Sequence, residues 1–301
     1  MIPTRLSAFC SVAPLFRQVT DWTLLRSWSL SEVYRATLPS GETRIIKWGN
    51  AEMAGEAAIY RQLIHPLKIS APYIYSDFNM DTSAVIIMED AGEHNLEQLP
   101  SAAAFLESAR ELARLRKAAA ANLEKGLPHE VTLAYTVSAA EFIALLDDLL
   151  RVQRLSGNRA LATLRHTFPD AVNELYLTTP LTLVHHDYHA KNLLVQGQRI
   201  LPIDWSNAYL SPHLGDLYCL IAEAHTWSGV PKDDILHAFH YEHHAGLTLE
   251  QLNWQVNIGG ICWLIKTLRW LLYGGTQIIP GSDAWIPDLM YDLEQLIIEV
   301  N

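Results

Sequence analysis

The sequence predicts an α+β chain in two unequal parts. A small sheet-bearing part covers residues 1–91, and a larger, mostly helical part covers residues 92–301. Two patterns predict this division. Residues 22–48, and again Ala84-Val85-Ile86-Ile87-Met88, show short apolar runs separated by turn residues. From Ser101 onward the apolar spacing becomes helical, with one interruption near residue 190.

Taken in order, Val33-Tyr34-Arg35-Ala36 and Thr43-Arg44-Ile45-Ile46-Lys47-Trp48 flank Pro39-Ser40-Gly41-Glu42, which reads as a hairpin turn. A helical pattern over about Glu52 to Leu63 puts Glu56 and Tyr60, four apart, on one face. Glu89-Asp90-Ala91-Gly92 ends the next strand and separates the two parts. Ser101 is a candidate N-cap for a helix running to about Glu124 and closed by Gly126. Further helices are expected over about 138–155 and 159–177, and from His213-Leu214-Gly215-Asp216 onward. The last stretch, about 233–301, is helical and carries Trp254, Trp263, Trp270, Tyr273, Trp285 and Tyr291, read chiefly as core.

The interruption holds the chemistry. Leu183-Val184-His185-His186-Asp187-Tyr188-His189-Ala190-Lys191-Asn192-Leu193-Leu194-Val195 is an apolar run, a polar loop and a strand. Gln196-Gly197-Gln198-Arg199 turns the chain into Ile200-Leu201-Pro202-Ile203-Asp204-Trp205. Pairing across that hairpin brings Asn192 near Asp204. Two oxygen ligands with Asp187 just upstream suit magnesium and a phosphate-bearing ligand. The same cluster admits a transition-metal site from His185, His186, Asp187 and His189, as in hydrolases with adjacent His and Asp ligands.

His185-x-Asp187-x4-Asn192, with Asp204 on the following strand, resembles the catalytic loop and metal-binding aspartate of the protein-kinase-like fold. His189 and Ile203-Asp204-Trp205 make it look more like the aminoglycoside phosphotransferase and choline kinase branch. The resemblance implies a bilobal fold, with a small antiparallel-sheet lobe carrying one main helix and a larger helical lobe. It implies Asp187 as the group that accepts the acceptor hydroxyl proton, with His185 orienting the loop. Asn192 and Asp204 would hold Mg2+, and Asp216 would brace the loop through its backbone. Lys47, set by Glu56, would place the phosphates of ATP or GTP, and backbone groups of Glu89 to Ala91 would meet the base. The turn Ser27-Trp28-Ser29-Leu30-Ser31 stands where a kinase places its glycine-rich loop, yet holds no glycine. Ser29 and Ser31 are then the phosphate-facing candidates.

Eleven residues, 205–215, separate Asp204 from Asp216, too few for a peptide-docking segment, so a small-molecule acceptor is expected and a protein substrate is not. The net charge of -11 disfavours nucleic acid and favours cationic ligands. Glu223, Asp233, Asp234, Glu242, Asp283 and Asp288 extend that argument to an aminated acceptor: an aminoglycoside, amino alcohol or amino sugar. A kinase-fold protein that binds nucleotide without catalysis is the alternative. Cys10, Cys219 and Cys262, odd in number and in apolar surroundings, read as buried reduced thiols of a cytoplasmic protein. The apolar segment 258–273 is broken by Lys266 and Arg269 and reads as a core helix, so no membrane partner is expected.

Overall fold

The computed structural model describes residues 1–51, 53–243 and 246–300. Five antiparallel strands in the order β1-β2-β3-β5-β4 form the first lobe: β1 (Asp21–Ser27), β2 (Ser31–Thr37), β3 (Thr43–Asn50), β4 (Ile74–Met80) and β5 (Ser83–Glu89). The β2–β3 turn places Gly41 at φ 84, a conformation that costs other residues more. Alternation along β3 sends Ile46 to one face and Ile45 and Lys47 to the other. Ile46 packs with Ala36, Val85 and Ile87 under Leu6, Phe9 and Phe16 from two N-terminal 3-10 turns. Lys47 is thereby aimed at the opposite face, toward the cleft.

The helix expected over 52–63 is shorter. Helix α1 (Glu56–Ile59) runs into a π turn, Tyr60–Ile64, and Glu52 lies outside the described residues. Gly55 gives it no side-chain cap, so the helix begins at Glu56 itself.

Helix α2 (Ala102–Gly126) starts at Ser101, whose Oγ accepts the Ala104 N–H. A short α3 (His129–Tyr135) leads to α4 (Ala139–Arg151), which has a Ser138/Glu141 capping box. Helix α4 stops before residue 155 because Val152 is extended, and a 3-10 turn completes the stretch. Helix α5 (Arg159–Thr178) precedes β6 (Thr182–Val184). The hairpin β7 (Leu193–Gln196) and β8 (Arg199–Pro202) pairs Leu193 with Pro202 and Gln196 with Arg199, with Gly197 at φ 65 in the turn. Strand β9 (Tyr209–Ser211) pairs with β6 and leads to α6 (Gly215–Ser228) and α7 (Lys232–His243). Next come α8 (Leu249–Trp270), the one-turn α9 (Thr276–Ile278) and α10 (Ile286–Val300).

Helix α8 is the spine of the second lobe. Ile258, Ile261, Leu264, Ile265 and Leu268 are buried in its core, and no helix among the described residues is long and apolar enough to cross a membrane. Gly259 lets α6 begin against it: a Cβ there would lie 2.6 Å from the Gly215 nitrogen. That close approach sets Asp216. Four of the C-terminal aromatics expected in the core are exposed instead, namely Trp270, Tyr273, Trp285 and Tyr291. Leu268 and Leu271 take the inward positions around the end of α8, which leaves Trp270 and Tyr273 facing out. Cys219 and Cys262 are buried free thiols, whereas Cys10 is partly exposed.

Candidate active site

A cavity of about 210 Å³ lies between the lobes. Leu25, Val33, Ile45 and Met88 from the sheet and Leu194 and Ile203 from the hairpin supply its apolar walls. Glu89 and Ala91 border it at the crossing between lobes. Lys47, Glu56, Asn192 and Asp204 border its polar end.

There the Lys47 Nζ lies 2.6 Å from Glu56 Oε2 and 2.6 Å from Asp204 Oδ1. Lys47 is 6% exposed and Glu56 1%, so water screens little of this. Burial works against the ammonium, but the two carboxylates outweigh it and raise the Lys47 pKa above its usual range. Burial likewise pushes Glu56 up against the pull of Lys47, while for Asp204 Lys47 prevails over burial and holds it well below the usual carboxylate range. Asp204 itself is left-handed, φ 65 and ψ 65, and accepts the Ser206 hydroxyl at 2.9 Å.

The loop between β6 and β7 carries the second cluster. Asn192 Nδ2 donates to Asp187 Oδ2 at 2.7 Å and to the Asp187 carbonyl at 2.9 Å. This orientation leaves Asn192 Oδ1 buried with no hydrogen-bond partner among the described residues. Lys191 Nζ sits 3.1 Å from Asp187 Oδ1. His185 is buried. Its Nδ1 accepts the Asp187 N–H at 3.3 Å, so the Nε2–H donates to the Ile203 carbonyl at 3.0 Å, tying the loop to the hairpin's second strand. Burial pushes its pKa down, which suits this neutral tautomer.

Asp216, also buried, accepts the His185 and His186 N–H groups at 2.7 and 2.8 Å, one on each carboxylate oxygen. His186 adopts φ 66, and its carbonyl accepts the Trp263 indole N–H at 3.0 Å. Buried Arg116 donates to the Pro212 and His213 carbonyls at 2.6 and 2.8 Å and fixes the approach to α6. Burial lowers its pKa to about 10. His189 Nδ1 meets Glu223 Oε1 at 3.0 Å; burial works to lower its pKa, but Glu223 and Asp187 raise it overall.

The structure therefore brings Lys47, Glu56, Glu89, Ala91, Asn192 and Asp204 to one cavity, with Asp187 bonded to Asn192 beside it. Ser29 and Ser31 are not on its lining. The Ser29 hydroxyl donates instead to the Ile278 carbonyl at 2.9 Å, and Ser31 is spent in β2 pairing with Gly49. Arg26 and Lys191, which sequence reasoning passed over, do border the cavity. Lys191 stood in view inside the motif; Arg26 left no local signal. Of the acidic residues after the hairpin, Glu223 touches the loop between β6 and β7, and Glu242 pairs with Arg114 at 3.5 Å. The alternative transition-metal site does not assemble. Both His185 nitrogens are engaged, His189 turns to Glu223, and no cluster among the described residues has the makings of such a site.

The model of the phosphotransferase enzyme family matches residues 22–249. No curated protein matches the sequence. Among solved structures, a choline/ethanolamine kinase family protein from Mesorhizobium loti superposes with TM-score 0.70 at 16% identity, covering 99% of this chain and 95% of that one. A thermostable mutant of aminoglycoside phosphotransferase APH(4)-Ia, in a ternary complex with ADP and hygromycin B, gives 0.64 at 17% identity over 97% and 98% of the two chains. The amicoumacin kinase hAmiN, in complex with AMP-PNP, Ca2+ and Ami, gives 0.61 at 13% identity over 97% and 94%. At such identities the superpositions speak for the protein-kinase-like fold, and the sequence match across residues 22–249 makes the chain a member of the phosphotransferase enzyme family.

Proposed function

We propose that the protein transfers the terminal phosphate of ATP or GTP to a hydroxyl of a small molecule, with magnesium. One observation carries the reading: the Asp187 carboxylate is held by Asn192, which borders the same interlobe cavity as Asp204 and Lys47. The buried, unpartnered Asn192 Oδ1 and the Asp204 carboxylate are oxygen donors of the kind magnesium takes, and few protein ligands suffice because it keeps waters and phosphate oxygens. Magnesium bound there would neutralise charge on the phosphates.

The chain's own residues supply the rest. Apolar walls from both lobes receive the base, and Lys47, fixed between two carboxylates, places the phosphates. Asp187 accepts the proton of the acceptor hydroxyl, and Asn192, His185 and Asp216 keep its backbone and carboxylate in place. Phosphoryl transfer asks mainly for such positioning and charge neutralisation.

The segment 205–215 is taken up by a 3-10 turn, β9 and the approach to α6, which supports a small acceptor over a peptide. The acidic residues proposed to attract an aminated acceptor are spread over α6, α7, α10 and the turn before it, so the acceptor class stays at a hydroxyl-bearing small molecule. A nucleotide-consumption screen over aminoglycosides, amino alcohols and sugars, run beside Asp187→Asn, tests the proposal. Acceptor-dependent turnover in the parent alone is expected. Nucleotide binding without turnover on any acceptor would favour the non-catalytic reading.

A further inference from the structure

We infer that Arg26 and Lys191, both resting on the indole of Trp28, form the triphosphate-binding end of the cavity and take the part that backbone N–H groups of a glycine-rich loop would play. The inference rests on the nucleotide-dependent reading above and assigns new residues to it.

The need for further cations follows from charge. Lys47 is the cavity's deepest cation, but Glu56 and Asp204 both lie 2.6 Å from it, so the trio carries a net charge of about -1. Such a trio by itself orients phosphates without attracting them, and magnesium at Asn192 and Asp204 would offset only part of a triphosphate's charge. The β1–β2 turn supplies little in compensation. The Trp28 N–H is spent on the Ser31 carbonyl at 2.8 Å, the Ser29 hydroxyl on Ile278, and none of Trp28, Ser29 and Leu30 lines the cavity.

Two side-chain cations stand where that loop falls short. The pairing of β1 with β2 slips between Leu24 and Arg26. In a regular strand Leu25 and Arg26 would point to opposite faces, yet both line the cavity, which is the re-aiming that a bulge produces. The Arg26 guanidinium lies 4.7 Å from the Trp28 ring centroid and has no carboxylate partner among the described residues. From the other lobe, Lys191 reaches the same ring, with Nζ 5.8 Å from its centroid, and also lines the cavity. The indole thus gathers two cations by cation–π attraction, and of the two only Lys191 is also paired with a carboxylate, that of Asp187. Ser29 bonded to Ile278 holds the turn down across the cleft. Since Lys191 also touches Asp187 Oδ1 at 3.1 Å, a phosphate held by Lys191 lies beside the carboxylate that receives the acceptor proton.

Calorimetry with ATP, ADP and adenosine on the parent, Arg26→Met, Lys191→Met, Trp28→Leu and Trp28→Tyr tests this. Each Met variant is expected to weaken ATP by about 10-fold or more, the scale of one lost charge-assisted contact, and to leave adenosine unchanged. Trp28→Leu should copy that loss, and Trp28→Tyr, which keeps an aromatic face, should restore most of the affinity. Added salt should weaken ATP binding more steeply in the parent than in the Met variants. Unchanged ATP affinity in both Met variants, or adenosine weakened in step with ATP, would overturn the inference and leave the phosphotransferase reading standing. A parent that binds no nucleotide would overturn both.

Discussion

Replacing Lys47 by Met probes how the polar end of the cavity is held together. Its ammonium lies 2.6 Å from each of two carboxylates, one of them 1% exposed. At an effective dielectric near 20, each contact represents about 6 kcal/mol of Coulomb attraction, most of it offset by desolvation of the ions. Removing the shared cation strands two like charges, and breaking a buried pair in this way costs about 3–5 kcal/mol. We expect Lys47→Met to lose about 4 kcal/mol of unfolding free energy at pH 7.5 in a urea titration. Glu56 is already pushed up by burial, so on acidification it takes a proton, and the penalty shrinks toward pH 5.5. Adding Glu56→Gln removes the repulsion, so the double variant should recover about 2 kcal/mol relative to simple additivity while gaining no nucleotide-dependent activity. Additive losses, or a penalty constant across that pH range, would refute the account of the trio.

Other perturbations separate the remaining roles. Asp187→Asn should lower turnover by roughly 10²- to 10⁴-fold, the usual cost of a lost general base, with nucleotide affinity nearly retained; comparable rates in variant and parent would remove Asp187 from the chemistry. Asp204→Ala should abolish the magnesium dependence of nucleotide binding in calorimetry, since a carboxylate ligand and the Lys47 partner go together, and an unaltered magnesium effect would place the ion elsewhere. Burial holds His185, His186 and His213 below the usual imidazole range, so their contribution to stability is full above about pH 6.5 and declines as pH falls, by up to about 1.4 kcal/mol per unit for each. His186→Asn, which suits the left-handed backbone there, should flatten the decline by about one such increment between pH 6.5 and 5.5, and an unchanged slope would show that His186 titrates alike in both states.

The candidate site around the β7–β8 hairpin was legible because its residues are close in sequence. Asp187, Asn192 and Asp204 are fixed by a loop, two short strands and a glycine turn, all within twenty residues. Lys47 and Glu56 were legible through their order along the chain and the motif downstream of them. The turn at Trp28 was not, because its conformation is decided by Ile278, 249 residues away, and by a slip in strand pairing with no composition of its own. The N-terminal 3-10 turns escaped for a similar reason: Leu6, Phe9 and Phe16 are too few to set a pattern of their own, yet they pack on the sheet face that carries Ala36, Ile46, Val85 and Ile87. The C-terminal aromatics misled because a Trp or Tyr at helical spacing does not say which face is inward. Here Leu and Ile residues already fill the core.

Two non-glycine residues that flank the β7–β8 hairpin, His186 and Asp204, are left-handed, at φ 66 and φ 65. Each such residue costs on the order of 1 kcal/mol and persists only where its surroundings impose it. The impositions come from different elements. His186 is held by its N–H on Asp216 of α6 and its carbonyl on Trp263 of α8, while Asp204 is held by Lys47 of β3 and by Ser206. Helix α6 can present Asp216 because Gly215 and Gly259 of α8 meet without side chains between them. The backbone of the site is therefore set by packing between helices, whereas its charge is set across the cleft by the sheet. A substitution in the seam between α6 and α8 acts on the orientation of Asp187 through the loop, and one in β3 acts on the charge that faces the phosphates. Under the proposed function, small changes distant from the cavity would reach the site by these two separate routes.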